Sequence, residues 1–140
     1  MSWDRLSADI PASVGLANGR SIARLCAIFA MGGALDGVRY VSEELVSQAA
    51  TEQVYSNDET FGWLRLGLGL GLNSEPFPAP TPTAFHWGGY GGSWGLMDPA
   101  AGLSLGFAPN NLEPAESTVL TMDPRLFRFH KALEALIPTL

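Results

Sequence analysis

The apolar residues of this chain follow a helical period near both ends and a two-residue period in the middle. Ile22, Leu25, Cys26, Phe29 and Ala30 recur three to four positions apart, which lines one face of a helix. Asn18 offers that helix a side-chain acceptor for its first free N–H groups, and Gly32-Gly33 ends it without left-handed strain. Leu35-Asp36-Gly37 predicts a turn, and 38–41 a short extended link. Ser42 caps a second helix. Its Glu43 and Glu44 sit at the positive end of the dipole, and Leu45, Val46, Ala49 and Ala50 face inward. From Gly62 the period drops to two: Leu64, Leu66, Leu68, Leu70 and Leu72 alternate with Arg65, Gly67, Gly69 and Gly71. This predicts one strand with a leucine face and a nearly bare face, against which a helix or another backbone can lie closely.

Residues 84–87, 93–97 and 103–108 read as further extended segments. Asp98-Pro99-Ala100-Ala101-Gly102 makes a hairpin loop between the last two, with Pro99 presetting φ and Gly102 free to adopt a positive one. Pro76, Pro78, Pro80 and Pro82 mark an extended surface connection that cannot donate to a sheet at those positions. Asp123 and Pro124 open a last helix striped by Leu126, Phe129, His130, Leu133 and Ile137, and Pro138 stops it. The first 16 residues show no period. Helix, helix, three antiparallel strands, helix is an α+β order: a sheet covered by helices. Residues 1–60 are expected to be mainly helical, 61–110 sheet, and 123–137 the C-terminal helix.

Composition narrows the function. The chain has 140 residues, 46% hydrophobic and 16% charged, enough apolar surface for a packed core. Eight basic against fourteen acidic residues give a net charge of −6, and Lys131 is the only lysine. That balance excludes the basic footprint a nucleic-acid partner requires. The apolar stretch 22–34 is too short to span a bilayer and carries Arg24, so no membrane association is expected. The start of the chain lacks the basic end and apolar run of a secretory signal, and the expected location is cytoplasmic. Cys26 has no cysteine partner for a disulfide or a zinc cluster and reads as a small core residue.

Several motifs match chemistry by letter only. Gly91-Gly92-Ser93-Trp94-Gly95 fits the G-x-S-x-G nucleophile elbow, with Asp98 or Asp123 and then His130 in the required order. An elbow serine joins a strand to a helix, whereas a hairpin follows here, so Ser93 is expected to be a small residue at a strand start. Gly67, Gly69 and Gly71 lie inside an alternating run rather than between a strand and a helix, which excludes a dinucleotide loop. His86 and His130 have no further ligands to complete a metal site, so neither metal nor cofactor is expected. His130 reads as a packing residue, while His86 draws attention because it adjoins a glycine cluster. Glu43-Glu44 is explained by the helix dipole, and no carboxylate pair stands out as acid and base.

The cluster from Phe85 to Pro99 is of another kind. Glycines there let backbone lie against a ligand beside large aromatics, and exposed backbone N–H groups can donate to an oxyanion during acyl transfer. Trp87-Gly88-Gly89, then Gly91-Gly92-Ser93, Asp98-Pro99 and Gly102-Leu103, resemble the C-terminal part of the serine β-lactamase-like hydrolases. These are the class C β-lactamases, the DD-peptidases and the family VIII-type esterases. Gly67-Leu68-Gly69 and the segment Ala23 to Gly37, ending Gly-Gly-x-Leu-Asp-Gly, extend the resemblance to roughly residues 8–110.

The resemblance implies a single partial domain over residues 1–140, the C-terminal portion of a β-lactamase/transpeptidase-like fold. It implies that Trp87, Gly88 and Gly89 are the third box lining one wall of the cleft and binding substrate. The backbone N–H of Tyr90 would be one oxyanion donor, the other coming from the nucleophilic serine. The family's Ser-x-x-Lys does not occur here, since Arg128 stands three positions before the only lysine. Tyr55-Ser56-Asn57 matches the family's Tyr-x-Asn by letter but follows helices that the true motif precedes, and reads as a loop.

A Trp-Gly-Gly box in place of Lys-Thr-Gly favours a carboxylic ester over a β-lactam. The expected function is therefore a contribution of one wall and one oxyanion donor to a serine hydrolase that works through an acyl-enzyme, with the isolated chain inactive. Its partner is a small ester or amide substrate, once an N-terminal half completes the site. Self-association through an open sheet edge is a further expectation. The alternative is a non-catalytic binding or interaction module that keeps the scaffold.

Overall fold

Asn18 and Ser21 start the longest N-terminal helix reciprocally. The Asn18 side chain accepts from the Ser21 N–H at 2.9 Å, and the Ser21 hydroxyl accepts from the Asn18 N–H at 2.9 Å. The computed structural model describes residues 3–10, 15–59, 61–75, 77–89, 91–111 and 124–137. Its helices are α1 (Trp3–Leu6), α2 (Gly19–Ala30), α3 (Glu43–Ala49) and α4 (Pro124–Leu136). A small hairpin, β1 (Ala34–Leu35) with β2 (Val38–Arg39), turns through Asp36 and Gly37, both at positive φ. The strands β3 (Val54–Asp58), β4 (Gly62–Leu66), β5 (Gly71–Leu72), β6 (Phe85–Gly88), β7 (Trp94–Asp98) and β8 (Leu103–Phe107) form one antiparallel sheet in sequence order.

The caps, the β7–β8 hairpin and the α+β class agree with the expectation from sequence. The sheet is larger: six strands rather than three. Two differences contribute to this. The segment 54–58, placed in the mainly helical part, is the edge strand β3, and Tyr55-Ser56-Asn57 therefore lies on a strand rather than in a loop. The Leu/Gly run is not one strand. It turns back at residues 67–70, where the Gly67 N–H donates to the Leu70 carbonyl at 2.9 Å and Gly69 takes φ +72°, so that Leu66 and Gly71 face each other across β4 and β5. Alternation specifies a face only while the chain stays extended, and three glycines in five residues also suit a reversal.

The close approach expected of bare backbone does occur at Gly67, where the end of α3 docks: the Leu68 N–H donates to the Ala49 carbonyl at 3.2 Å. Two further close approaches lie elsewhere. A Cβ at Gly106 of β8 would run into the Ala23 N and Gly19 O atoms of α2, and one at Gly95 of β7 would meet Cys26 Sγ at 2.8 Å. Helix α2 thus rests directly on β7 and β8. Cys26, Ala30, Leu72, Phe85 and Met97 make the core on that face, with burial raising the Cys26 thiol pKa. On the other face Leu126 and Leu133 of α4 close over Trp94, Leu96, Ala79 and Ala84.

The proline-rich segment is more than a surface connection. Ala79 is buried in the α4 core, its N–H held by the Asn73 side chain at 2.9 Å. The Thr81 and Thr83 hydroxyls donate to the fully buried Asp98 carboxylate, Thr83 at 2.9 Å. The expected cap Asp123 and stop Pro138 lie outside the described residues. No helix among the described residues is long and apolar enough to cross a membrane.

Candidate active-site wall

Strand β6 runs from the core to the open end of the sheet. Phe85 and His86 are buried, and Trp87 and Gly88 are exposed. Trp87 faces Gly95 across β7, on the sheet side that carries α2, and is 42% exposed. Beneath it, an added Cβ at Gly71 would come 3.4 Å from the six-membered ring, so the indole rests against bare backbone.

Beyond Gly88 the chain closes a tight loop onto β7. The Gly89 N–H donates to the Ser93 carbonyl at 2.8 Å and the Gly92 N–H to the Gly89 carbonyl at 3.0 Å. Gly91 and Gly92 hold φ of +93° and +97°, which only glycine adopts without strain. A Cβ at Gly89 would stand 2.5 Å from the Ser93 hydroxyl oxygen. The sequence-expected box residues Trp87, Gly88 and Gly89 are therefore together at the rim of the sheet. Tyr90 lies outside the described residues.

Arg125 was not singled out in the sequence. From the first turn of α4 it donates to the Gly91 carbonyl at 3.3 Å and to the Asn111 carbonyl at 2.8 Å, with its guanidinium 5.5 Å from the Phe107 ring centre. A cation in a helix's first turn opposes the dipole. That mismatch was the available signal that its contacts lie outside the helix.

The serine-triad match does not assemble. Ser93 precedes a strand, not a helix, and Asp98 sits five residues along the same strand, about 17 Å away at the rise of a β-strand. The Asp98 carboxylate is already engaged by two threonines and by the Ala100 N–H at 3.0 Å. His130 is buried on the inner face of α4 without a hydrogen bond on either ring nitrogen, 3.4 Å from a Glu134 oxygen. Asp123 lies outside the described residues.

His86 belongs to the core rather than the cleft. Its Nδ1 accepts from the Trp94 indole N–H at 3.1 Å, and burial pushes its pKa down to about 4. Among the described residues no group of three metal-ligating side chains gathers. A cleft of about 640 Å³, lined by Val46, Thr51, Arg65, Leu72 and Phe85, opens where β6 begins, at the end away from the box.

The sequence model of the family described as "Beta-lactamase" matches residues 2–123. The chain belongs to the beta-lactamase family. Among solved structures, a family VIII carboxylesterase superimposes with a TM-score of 0.73 at 34% identity, over 85% of this chain and 31% of that one. A penicillin-binding protein homolog from Caulobacter crescentus gives 0.72 at 26% identity, over 89% and 32%. EstA from Arthrobacter nitroguajacolicus gives 0.72 at 25% identity, over 88% and 32%. The esterase/beta-lactamase LipL of Mycobacterium tuberculosis is 48% identical over 42 residues, 30% of this chain and 10% of that protein. This beta-lactamase family chain thus spans about a third of the length of the solved structures it matches.

Proposed function

We propose that this chain is the C-terminal portion of a serine hydrolase acting on carboxylic esters, and that its Trp87-Gly88-Gly89 box forms one wall of the acyl-transfer cleft. The observation that carries the proposal is the box itself. A central strand leaves the core with an exposed indole and bare backbone, next to a loop fixed by two positive-φ glycines and by Arg125. Bare backbone is what allows N–H groups to approach a developing oxyanion, and a fixed loop holds them aimed before the reaction begins. The backbone N–H of Tyr90 is the proposed donor.

The chemistry divides between this chain and sequence outside it. A serine hydroxyl supplied from outside these residues attacks the ester carbonyl and loses its proton to a base. The tetrahedral oxyanion collapses, the alkoxide leaves with a proton as the alcohol, and water then releases the acid from the acyl-enzyme. A neutral indole in the box, with no lysine beside it, suits an uncharged ester better than an anionic β-lactam. The family VIII carboxylesterase match supports the same substrate class.

The test is a chimera in which this chain replaces the matching third of that carboxylesterase. The chimera is expected to hydrolyse 4-nitrophenyl butyrate, while the chain alone neither turns it over nor takes a fluorophosphonate label. A chimera that melts cooperatively but has no activity contradicts the proposal. Labelling of the chain alone that vanishes in Ser93→Ala does so too, and would transfer the chemistry to Ser93.

A further inference from the structure

Three of the five residues that join β6 to β7 are glycines, so the 89–93 loop has few side chains of its own to hold it. Within it, the Gly92 N–H donates to the Gly89 carbonyl at 3.0 Å, which closes a turn over positions 89–92. On the opposite edge of the same 91–92 peptide, the Gly91 carbonyl accepts from Arg125 at 3.3 Å. One peptide plane is thus gripped from both edges, by its own turn and by a helix residue 34 positions away. Gly91 and Gly92 are buried while Gly88 and Gly89 are exposed, so the grip lies on the inner side of the loop.

The guanidinium is itself held in place. It donates to the Asn111 carbonyl at 2.8 Å, and its central carbon stands 5.5 Å from the Phe107 ring centre. Phe107 lies opposite Trp94, the first residue after the loop, and its ring meets Phe129 of α4 at 5.2 Å. A guanidinium presents its donors in one rigid plane and bridges two carbonyls, whereas a lysine ammonium acts as a point charge. Bonds from a charged donor are also about twice as strong as neutral ones. The charge does nothing for α4, because a cation in the first turn opposes the helix dipole. What Arg125 contributes falls on the segments it bridges.

We propose that Arg125 is a positioning residue: it clamps the 91–92 peptide and so keeps the N–H groups of the box loop aimed at the developing oxyanion. This rests on the ester-hydrolase function proposed above. A donor already aimed needs no reorganisation as charge develops, which is what such a loop supplies to the reaction. A glycine loop released from its clamp samples other orientations, and the transition state then has to restore the aimed one. Oxyanion donors act in the transition state rather than in substrate binding, so the loss falls on kcat and leaves KM in place.

Amide hydrogen exchange in the ¹⁵N-labelled full chain reads the clamp without turnover. Arg125→Gln is expected to speed exchange at Gly89 and Gly92 about tenfold, while Leu96 in the middle of β7 keeps its rate. Arg125→Lys, which keeps the charge without the fork, should lose the same protection. In the carboxylesterase chimera, Arg125→Gln should lower kcat for 4-nitrophenyl butyrate about tenfold at unchanged KM. Exchange at Gly89 and Gly92 that stays put, or rises only in step with Leu96, would overturn the clamp. So would full protection in Arg125→Lys, which would leave charge alone at work.

The two proposals fail separately. Loop exchange that responds to Arg125 beside an inactive chimera would retain the clamp and sink the hydrolase assignment. An active chimera whose kcat ignores Arg125→Gln would do the reverse.

Discussion

His86 adjoins the box in sequence, yet its side chain turns the other way, into the core beneath α4, and this has a measurable consequence. Burial lowers its pKa from 6.5 to about 4; the nearby Phe77 backbone opposes the shift, and nearby His130 adds to it. Glu134 is the carboxylate close to His130. Because the folded-state pKa is the lower one, the unfolded chain takes up the proton first as pH falls. The stability contributed by neutral His86 is therefore complete above pH 6.5 and is lost as pH drops toward about 4. The total is on the order of 3 kcal/mol. Urea midpoints should be level between pH 8 and 7 and fall steadily from 6.5 to 4; a level midpoint across the lower window would contradict this assignment. A second residue-scale expectation concerns Gly106, whose missing Cβ admits the α2 backbone. Gly106→Ala should lower stability by about 2 kcal/mol or more in thermal melts, whereas an unchanged Tm would mean that α2 does not lie against β8.

Among the elements, the β7–β8 hairpin and the proline-rich segment are held by one carboxylate. Asp98 accepts from Thr81, Thr83 and the Ala100 and Ala101 N–H groups while fully buried. Removing it leaves buried donors without partners, so Asp98→Ala should cost on the order of 3 kcal/mol. It should also open residues 73–83 to limited proteolysis, and an intact segment at native Tm would refute the anchoring role. Sequence showed the hairpin through Asp98, Pro99 and Gly102, and showed the caps of α2 and α3, because each rests on contacts within a few residues. It did not show the reversal at 67–70, since a leucine–glycine alternation looks the same extended or folded back. Nor did it show β3: Val54 to Asp58 is exposed throughout, so no buried face left an alternating pattern to read. The box at Trp87 to Gly89 was legible from its glycines. The Arg125 contacts were not, because they depend on where α4 docks.

At the scale of the whole molecule, the six-stranded sheet with α2 on one face and α4 on the other superimposes on about a third of each solved relative. The box stands at the open end of this layer, and strands β3 and β8 are its edges among the described residues. The central claim is that the box faces the reacting carbonyl of an ester held by a serine outside these residues. The most direct measurement is the crystal structure of the carboxylesterase chimera after reaction with a fluorophosphonate, whose tetrahedral phosphorus mimics the acyl intermediate. The phosphonyl oxygen is expected within about 3 Å of a backbone N–H in the 88–91 stretch, with Trp87 against the bound group. A phosphonyl oxygen held entirely by groups elsewhere, with the box out of contact with the adduct, would contradict it.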